Sequence, residues 1–206
     1  MIQSSIMLTN DKLIRTALKR NLEIDHKNDL HTKIIEELGL THGAARVDIA
    51  VVNGILHGYE LKSDLDTLMR LPEQMRIYNS VLDRITLVVG KSHLHSAIQL
   101  IPEWWGIVIA KMTDSNGEII FLNIREPEEN PHKDSLSIAK LLWREEALAI
   151  LEEINQAKGV RSKPRQMIYE RLALVLDQNT LRNRVREYLF SRVNWRSEKL
   201  HKLSDD

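Results

Sequence analysis

The sequence predicts a mixed α/β domain of the α+β kind, ordered as a helix, three strands, a second helix and a further strand, with a helical extension behind it. Three observations predict this. Apolar spacing changes from a helical period over residues 11–24 to alternation over residues 32–62. Asn53-Gly54 stands between two apolar runs, a strong hairpin signal. Beyond Arg125 the apolar stripes all have helical spacing.

Asn10 is suited to cap a helix from Asp11 to about Ile24, where Leu13, Ile14, Ala17, Leu18 and Leu22 share a stripe. A strand follows from about Thr32 to Leu40. Alternation sets Ile34, Glu36, Leu38 and Leu40 on one face, and Ile35, Glu37 and Gly39 on the other. The hairpin joins Arg46–Val52 to Leu56–Lys62, and its loop length decides which side chains share a face. A two-residue turn would part Asp48 from Glu60; a three-residue loop, at either 52–54 or 53–55, puts them together. The longer loop gives the more sensible faces. Val47, Ile49, Val51, Ile55, Tyr59 and Leu61 then face a core, opposite Arg46, Asp48, Ala50, Gly58, Glu60 and Lys62.

Asp64 and Asp66 fall in a turn and suit capping. The second helix starts at Pro72, a good first-turn residue. Arg84–Gly90 (RITLVVG) reads as a buried strand, and His93–Ile101 as a short helix ended by Pro102. Gly106–Met112 should pair with Glu118–Ile124 through Asp114-Ser115-Asn116-Gly117. Residues 1–125 thus form a core, 126–134, with Pro127 and Pro131, a linker, and 135–206 a basic helical extension packed on the core. That extension is expected to hold helices over Ser135–Ala157, Pro164–Asp177 and Thr180 to about Asn194.

Composition removes several chemistries. The 206 residues include no cysteine, so disulfides, thiolate metal sites and cysteine nucleophiles are excluded. No apolar run approaches the ~20 residues of a membrane span, and the N-terminus lacks a signal-peptide pattern, which reads as a cytoplasmic protein without a membrane partner. Gly90-Lys91-Ser92 follows an apolar strand, but a phosphate-binding loop needs a glycine where Ile85 stands. The formal net charge is zero, yet residues 158–202 are rich in Lys and Arg. Arg161, Lys163, Arg165, Arg182, Arg184 and Arg186 are the candidate phosphate contacts.

Asp48 before the hairpin turn and Glu60-Leu61-Lys62 after it resemble the PD-(D/E)XK nuclease superfamily. Gln74-Met75-Arg76-Ile77-Tyr78 is similar to the QxxxY motif of its RecB and lambda-exonuclease branch, and puts Gln74 and Tyr78 at i and i+4 on one helix face. Val47 stands where the motif's proline would be. The resemblance covers about residues 10–110 and extends to uncharacterised bacterial and phage members. It implies a restriction-endonuclease-like αβββαβ core with a mixed central sheet.

It also implies a site. Phosphodiester hydrolysis needs a divalent cation and an activated water, and clustered carboxylates supply the hold. Asp48, Glu60 and the Leu61 carbonyl suit Mg2+, a hard ion, with Mn2+ able to substitute. Glu36-Glu37 occupies the place of a third acid, and Glu37 is the choice because Glu36 sits in an apolar row. By resemblance Lys62 orients or deprotonates the water, Gln74 and Tyr78 position the network, and cleavage leaves 5′-phosphate and 3′-hydroxyl ends. The expected activity is a Mg2+-dependent deoxyribonuclease, with RNA as an open second substrate. The alternative is a catalytically silent nucleic-acid-binding module that keeps the fold. A paired-strand cut would need two sites, hence a homodimer, and any motor or effector would be a separate chain.

Overall fold

The computed structural model describes residues 8–113 and 117–193. Asp114, Ser115 and Asn116 of the expected turn lie outside the described residues, as do Asn194 at the expected helix end and Arg196, Lys199 and Lys202 of the basic tail. A six-stranded mixed sheet runs in chain order: β1 (Lys33–Leu40), β2 (Ala45–Val52), β3 (Leu56–Lys62), β4 (Arg84–Gly90), β5 (Gly106–Met112) and β6 (Ile119–Arg125). The first three strands and the last pair are antiparallel, while β3, β4 and β5 are parallel.

Each parallel step needs a crossover, supplied by α2 (Leu71–Val81) and α3 (Leu94–Leu100). One sheet face is covered by α1 (Asp11–Asp25), whose Ile14, Leu18 and Leu22 bury against Ile49, Val51, Leu61, Val88 and Ala110. Its start is fixed by the Asn10 side chain, which accepts from the Leu13 N–H at 3.0 Å. The larger core lies on the other face and holds α2, α3 and four further helices: α4 (Ser135–Ala139), α5 (Arg144–Glu153), α6 (Arg165–Val175) and α7 (Gln178–Ser191). It runs unbroken from Ile35 to Leu189, so the C-terminal helices share one core with the sheet.

Residues 126–134 join β6 to the next helix without helix or strand, as expected of a linker, and are tied down: buried Asn130 donates to the Asn79 and Leu82 carbonyls at 2.7 Å, and its N–H reaches Asp83 O at 2.9 Å. One expectation is corrected. The single helix expected over 135–157 is two. The chain leaves the helix at Leu141 and Leu142, whose carbonyls accept instead from Arg192 at 2.8 Å and Tyr169 at 2.9 Å. Glu146 then caps the new start, its carboxylate taking the Trp143 N–H at 2.7 Å.

The loop after β3 confirms the capping reading of its acids. Asp64 accepts from both the N–H and hydroxyl of Thr9 and of Ser92, and Asp66 does the same for Ser63. Partial burial would raise the Asp64 carboxyl, but those donors outweigh it and hold it at about 2. Gly90 is thereby explained without a phosphate, because a Cβ there would sit 2.5 Å from Asp64 N. Trp104 and Trp105 are core residues, and Trp105 donates to Asn79 at 2.9 Å. Among the described residues no helix is long and apolar enough to cross a membrane.

Candidate active site

The hairpin has a three-residue loop, Asn53-Gly54-Ile55, with Gly54 at φ +88° and Val52 paired to Leu56. Ile49 pairs with Tyr59, which makes Asp48 and Glu60 the next position along. There the ladder stops. Asp48 Oδ2 instead accepts the Leu61 N–H at 2.7 Å, so a carboxylate stands where a strand carbonyl would be.

Strict alternation fails at the same level in both β1 and β2. Ile34 packs in the α1-side core, but Ile35, Leu38 and Leu40 all reach the larger core, which requires the strand to flip between Ile35 and Leu38. Glu37 makes the flip, at φ +55°. Across from it, Ile49 and Val51 face α1 whereas Val47 joins Ala50 in the larger core, against the expected core-facing row. A left-handed glutamate costs on the order of 1–3 kcal/mol, and such strain collects at functional sites. Thr41 (φ +49°) and His42 (φ +57°) follow in the same connection.

The flip and the split of β2 from β3 open a polar cleft of about 690 Å³ between α1 and α2, lined among others by Glu37, Asp48, Glu60, Leu61, Lys62 and Gln74. Glu36 points elsewhere and pairs with Lys19 on α1.

Glu60 is 1% exposed and has its own shell. Lys62 Nζ donates to Oε1 at 2.6 Å, Gln74 Nε2 to Oε1 at 2.7 Å and the Tyr78 hydroxyl to Oε2 at 2.6 Å. The i, i+4 spacing on α2 therefore delivers two donors to one acid. Burial, and then Asp48, push the Glu60 carboxyl up to about 7 against the pull of Lys62 and these hydrogen bonds. Burial and Glu60 raise the Tyr78 phenol, so it stays a donor. Gln74 Oε1 is buried with no hydrogen-bond partner, an acceptor in the cleft that awaits a donor.

Asp48 and Glu37 form the second half of the cleft, joined by Arg15 of α1. Its Nη1 lies 2.7 Å from Glu37 Oε1 and its Nη2 2.7 Å from Asp48 Oδ1. Arg15 was not legible in the sequence; helical periodicity put it beside the α1 stripe and said nothing of its partners. Arg70, exposed on the cleft's lining, was likewise missed, whereas Arg46, also exposed there, falls as expected on the face of Asp48 and Glu60.

The residues suit a divalent cation by donor chemistry: two carboxylates, Asp48 and Glu60, at adjoining strand positions, with an orphan acceptor beside them for a bound water. They do not form a closed cage. Among the described residues no three such side chains are grouped to hold an ion; Arg15 pairs with Asp48 and Glu37, and Lys62 with Glu60.

The basic candidates lie outside the cleft lining. Arg182 and Arg186 turn inward onto buried Asp83, Arg184 pairs with Glu153 and Glu187, and Arg161 with Glu152. Lys163 and Arg165 are exposed. The excess of basic residues in the sequence thus overstated the free positive charge, because acids of the body take up much of it.

The raised Glu60 carboxyl has a pH consequence. A group with pKa about 4.5 unfolded and about 7 folded binds its proton more tightly in the native state, so stability falls as pH rises from 4.5 to 7 and is level above that. His57, pushed down to about 3 by burial, acts the other way as pH rises towards 6.5 and partly masks the slope. Comparison with Glu60→Gln cancels the His57 contribution. In EDTA the variant should gain on the wild type by about 3 kcal/mol between pH 4.5 and 7, read from urea unfolding at pH steps; a constant difference would refute the raised carboxyl.

The family model for bacteriophage P4 protein cII matches residues 8–205. Protein cII of Enterobacteria phage P4 is 30% identical over 83 residues, 40% of this chain and 31% of that protein, so the match spans about a third of the relative's length. A solved protein of unknown function from Silicibacter pomeroyi is 19% identical, with 74% of this chain and 94% of that one covered and a TM-score of 0.41. On the extent of the family match, this chain belongs to the bacteriophage P4 protein cII family.

Proposed function

We propose that this chain is a divalent-metal-dependent nuclease of the PD-(D/E)XK type that hydrolyses DNA phosphodiester bonds. The observation that carries the reading is the meeting of Asp48, Glu60, Lys62 and Gln74 in one cleft at the split between two strands, with the buried Tyr78 hydroxyl bonded to Glu60 from behind. Asp48 and Glu60, with the Leu61 carbonyl and Glu37, would hold Mg2+ or Mn2+. When bound, the cation neutralises phosphate charge and acidifies a water.

The chain's own groups supply the rest. Lys62, held at 2.6 Å from Glu60, presents an ammonium where negative charge would grow. Gln74 and Tyr78 fix the Glu60 carboxylate, and Gln74 Oε1 offers an acceptor to orient the attacking water. Contacts to the nucleic-acid backbone fall to Arg46 and Arg70 on the cleft itself, with Lys163 and Arg165 further out. Binding through them should weaken with salt.

Incubation with supercoiled plasmid, linear duplex, single strands and RNA under Mg2+ or Mn2+, with Asp48→Asn as control, tests the proposal. Metal-dependent cleavage lost in the variant is the expected result. The non-cleaving binding module is the second reading, favoured by the way Arg15 and Lys62 already balance the acids. Salt-sensitive nucleic-acid binding with no cleavage under either metal would establish it instead.

A further inference from the structure

We propose, on the nuclease reading above, that Arg15 is the cleft's resident counter-ion: its guanidinium holds Asp48 and Glu37 together in the metal-free protein and must leave before a divalent cation can bind.

One side chain meets three acids from three segments. Besides Glu37 Oε1 and Asp48 Oδ1, Arg15 Nη1 reaches the Asp48 carbonyl at 3.0 Å, and Nε and Nη2 both lie 3.2 Å from the Asp11 carboxylate. The planar fork permits this spread, which a lysine could not match. Burial disfavours the guanidinium's charge, but Asp11 and Asp48 outweigh it and raise its pKa above the ordinary value.

The contacts fall on the two positions where β1 and β2 break their alternation. Glu37 adopts a left-handed backbone and its carboxylate ends on Arg15, so the strained conformation and the ion pair go together. A cation held by Asp48 and Glu37 would compete with Arg15 for their carboxylates. Asp11, one helical turn before Arg15, is the partner that remains for a displaced guanidinium. This accounts for the absence of a closed three-acid group among the described residues: the acids are spaced for a guanidinium.

Competition has a measurable form. Apparent metal affinity is reduced by the fraction of molecules in which Arg15 occupies the acids. Arg15→Gln removes a unit charge within hydrogen-bond reach of Asp48, so Mn2+ affinity should rise about tenfold, read by calorimetry or by the Mn2+ resonance signal. In EDTA the variant should melt below the wild type, since the three acids then repel, and saturating Mn2+ should raise its melting temperature by more than it raises the wild type's. If Arg15→Gln does not fold, Arg15→Lys carries the test: a compact ammonium cannot engage all three acids, and tighter Mn2+ binding is expected there too.

Equal or weaker Mn2+ affinity in the folded variant overturns the proposal. The nuclease reading fails separately, by wild-type Mn2+ binding that is absent or indifferent to Asp48→Asn.

Discussion

Lys62→Ala is expected, on the proposed nuclease function, to lower Mg2+-dependent cleavage by about 10²–10⁴-fold, the range for loss of a positioned acid–base group. Its structural cost should be smaller than the pair suggests. Breaking a buried ion pair commonly costs about 3–5 kcal/mol because the survivor is left charged. Glu60 has an escape, since its carboxyl already sits at about 7 and can take up a proton near neutrality for little free energy. Gln74 and Tyr78 still bind it. A protonated Glu60 is a poor metal ligand, so lost activity at pH 7 would mix weaker metal binding with lost catalysis. Loss of Lys62 lifts that carboxyl further, so the two are separated at pH 7 and 8.5 under saturating Mn2+, which drives Glu60 to its charged form, and cleavage should stay low at both. A variant that cleaves within threefold of wild type at either pH would remove Lys62 from the mechanism.

What could be read from the chain was local in origin. Asn53-Gly54 and the two alternating runs fixed the hairpin, because turn chemistry and period act over a few residues. The α1 start followed from Asn10 and the shared face of Gln74 and Tyr78 from their i, i+4 spacing on α2, while their approach to Glu60 was implied by the QxxxY resemblance. What could not be read depended on distant partners. Residues 135–157 carry a continuous helical stripe, and the break arises only because Arg192 and Tyr169 claim the Leu141 and Leu142 carbonyls. Prolines suggested a linker at 126–134, but Asn130 and its neighbours find backbone partners some fifty residues earlier. Glu37 was placed correctly in the cleft for a reason that did not hold, since a face assignment by alternation cannot foresee a left-handed residue within a strand.

The same blindness hid the acidic partners of the basic helices, and it motivates the second large effect: Asp83→Ala should destabilise the protein by about 3–5 kcal/mol. Asp83 is 3% exposed at the entry to β4. Its N–H donates to Leu56 O at 2.9 Å and its Oδ2 accepts the Leu56 N–H at 2.8 Å, which ties β4 to the start of β3. Three cations surround it: Arg182 at 2.6 Å, Arg186 at 3.3 Å and Lys133 at 3.6 Å. The Arg182 contact to Oδ1 is short but off the hydrogen-bond direction, so its worth is chiefly Coulombic. Burial lowers the Arg186 pKa, and Asp83 is the charge that opposes this. Removing the acid would leave three cations in a poorly solvated corner under α7, with only the more exposed Glu129 to offset Lys133 and Arg182. Asp83→Asn keeps an acceptor for Leu56 and isolates the charge contribution, so it should cost less than the alanine. A double-mutant cycle with Arg182→Met should show a coupling of at least about 1 kcal/mol in denaturant unfolding. Additive, near-neutral changes would mean that Arg182 and Arg186 are held only loosely. In that case both would be free to turn outward, and the phosphate contacts would have to be reassigned to α7.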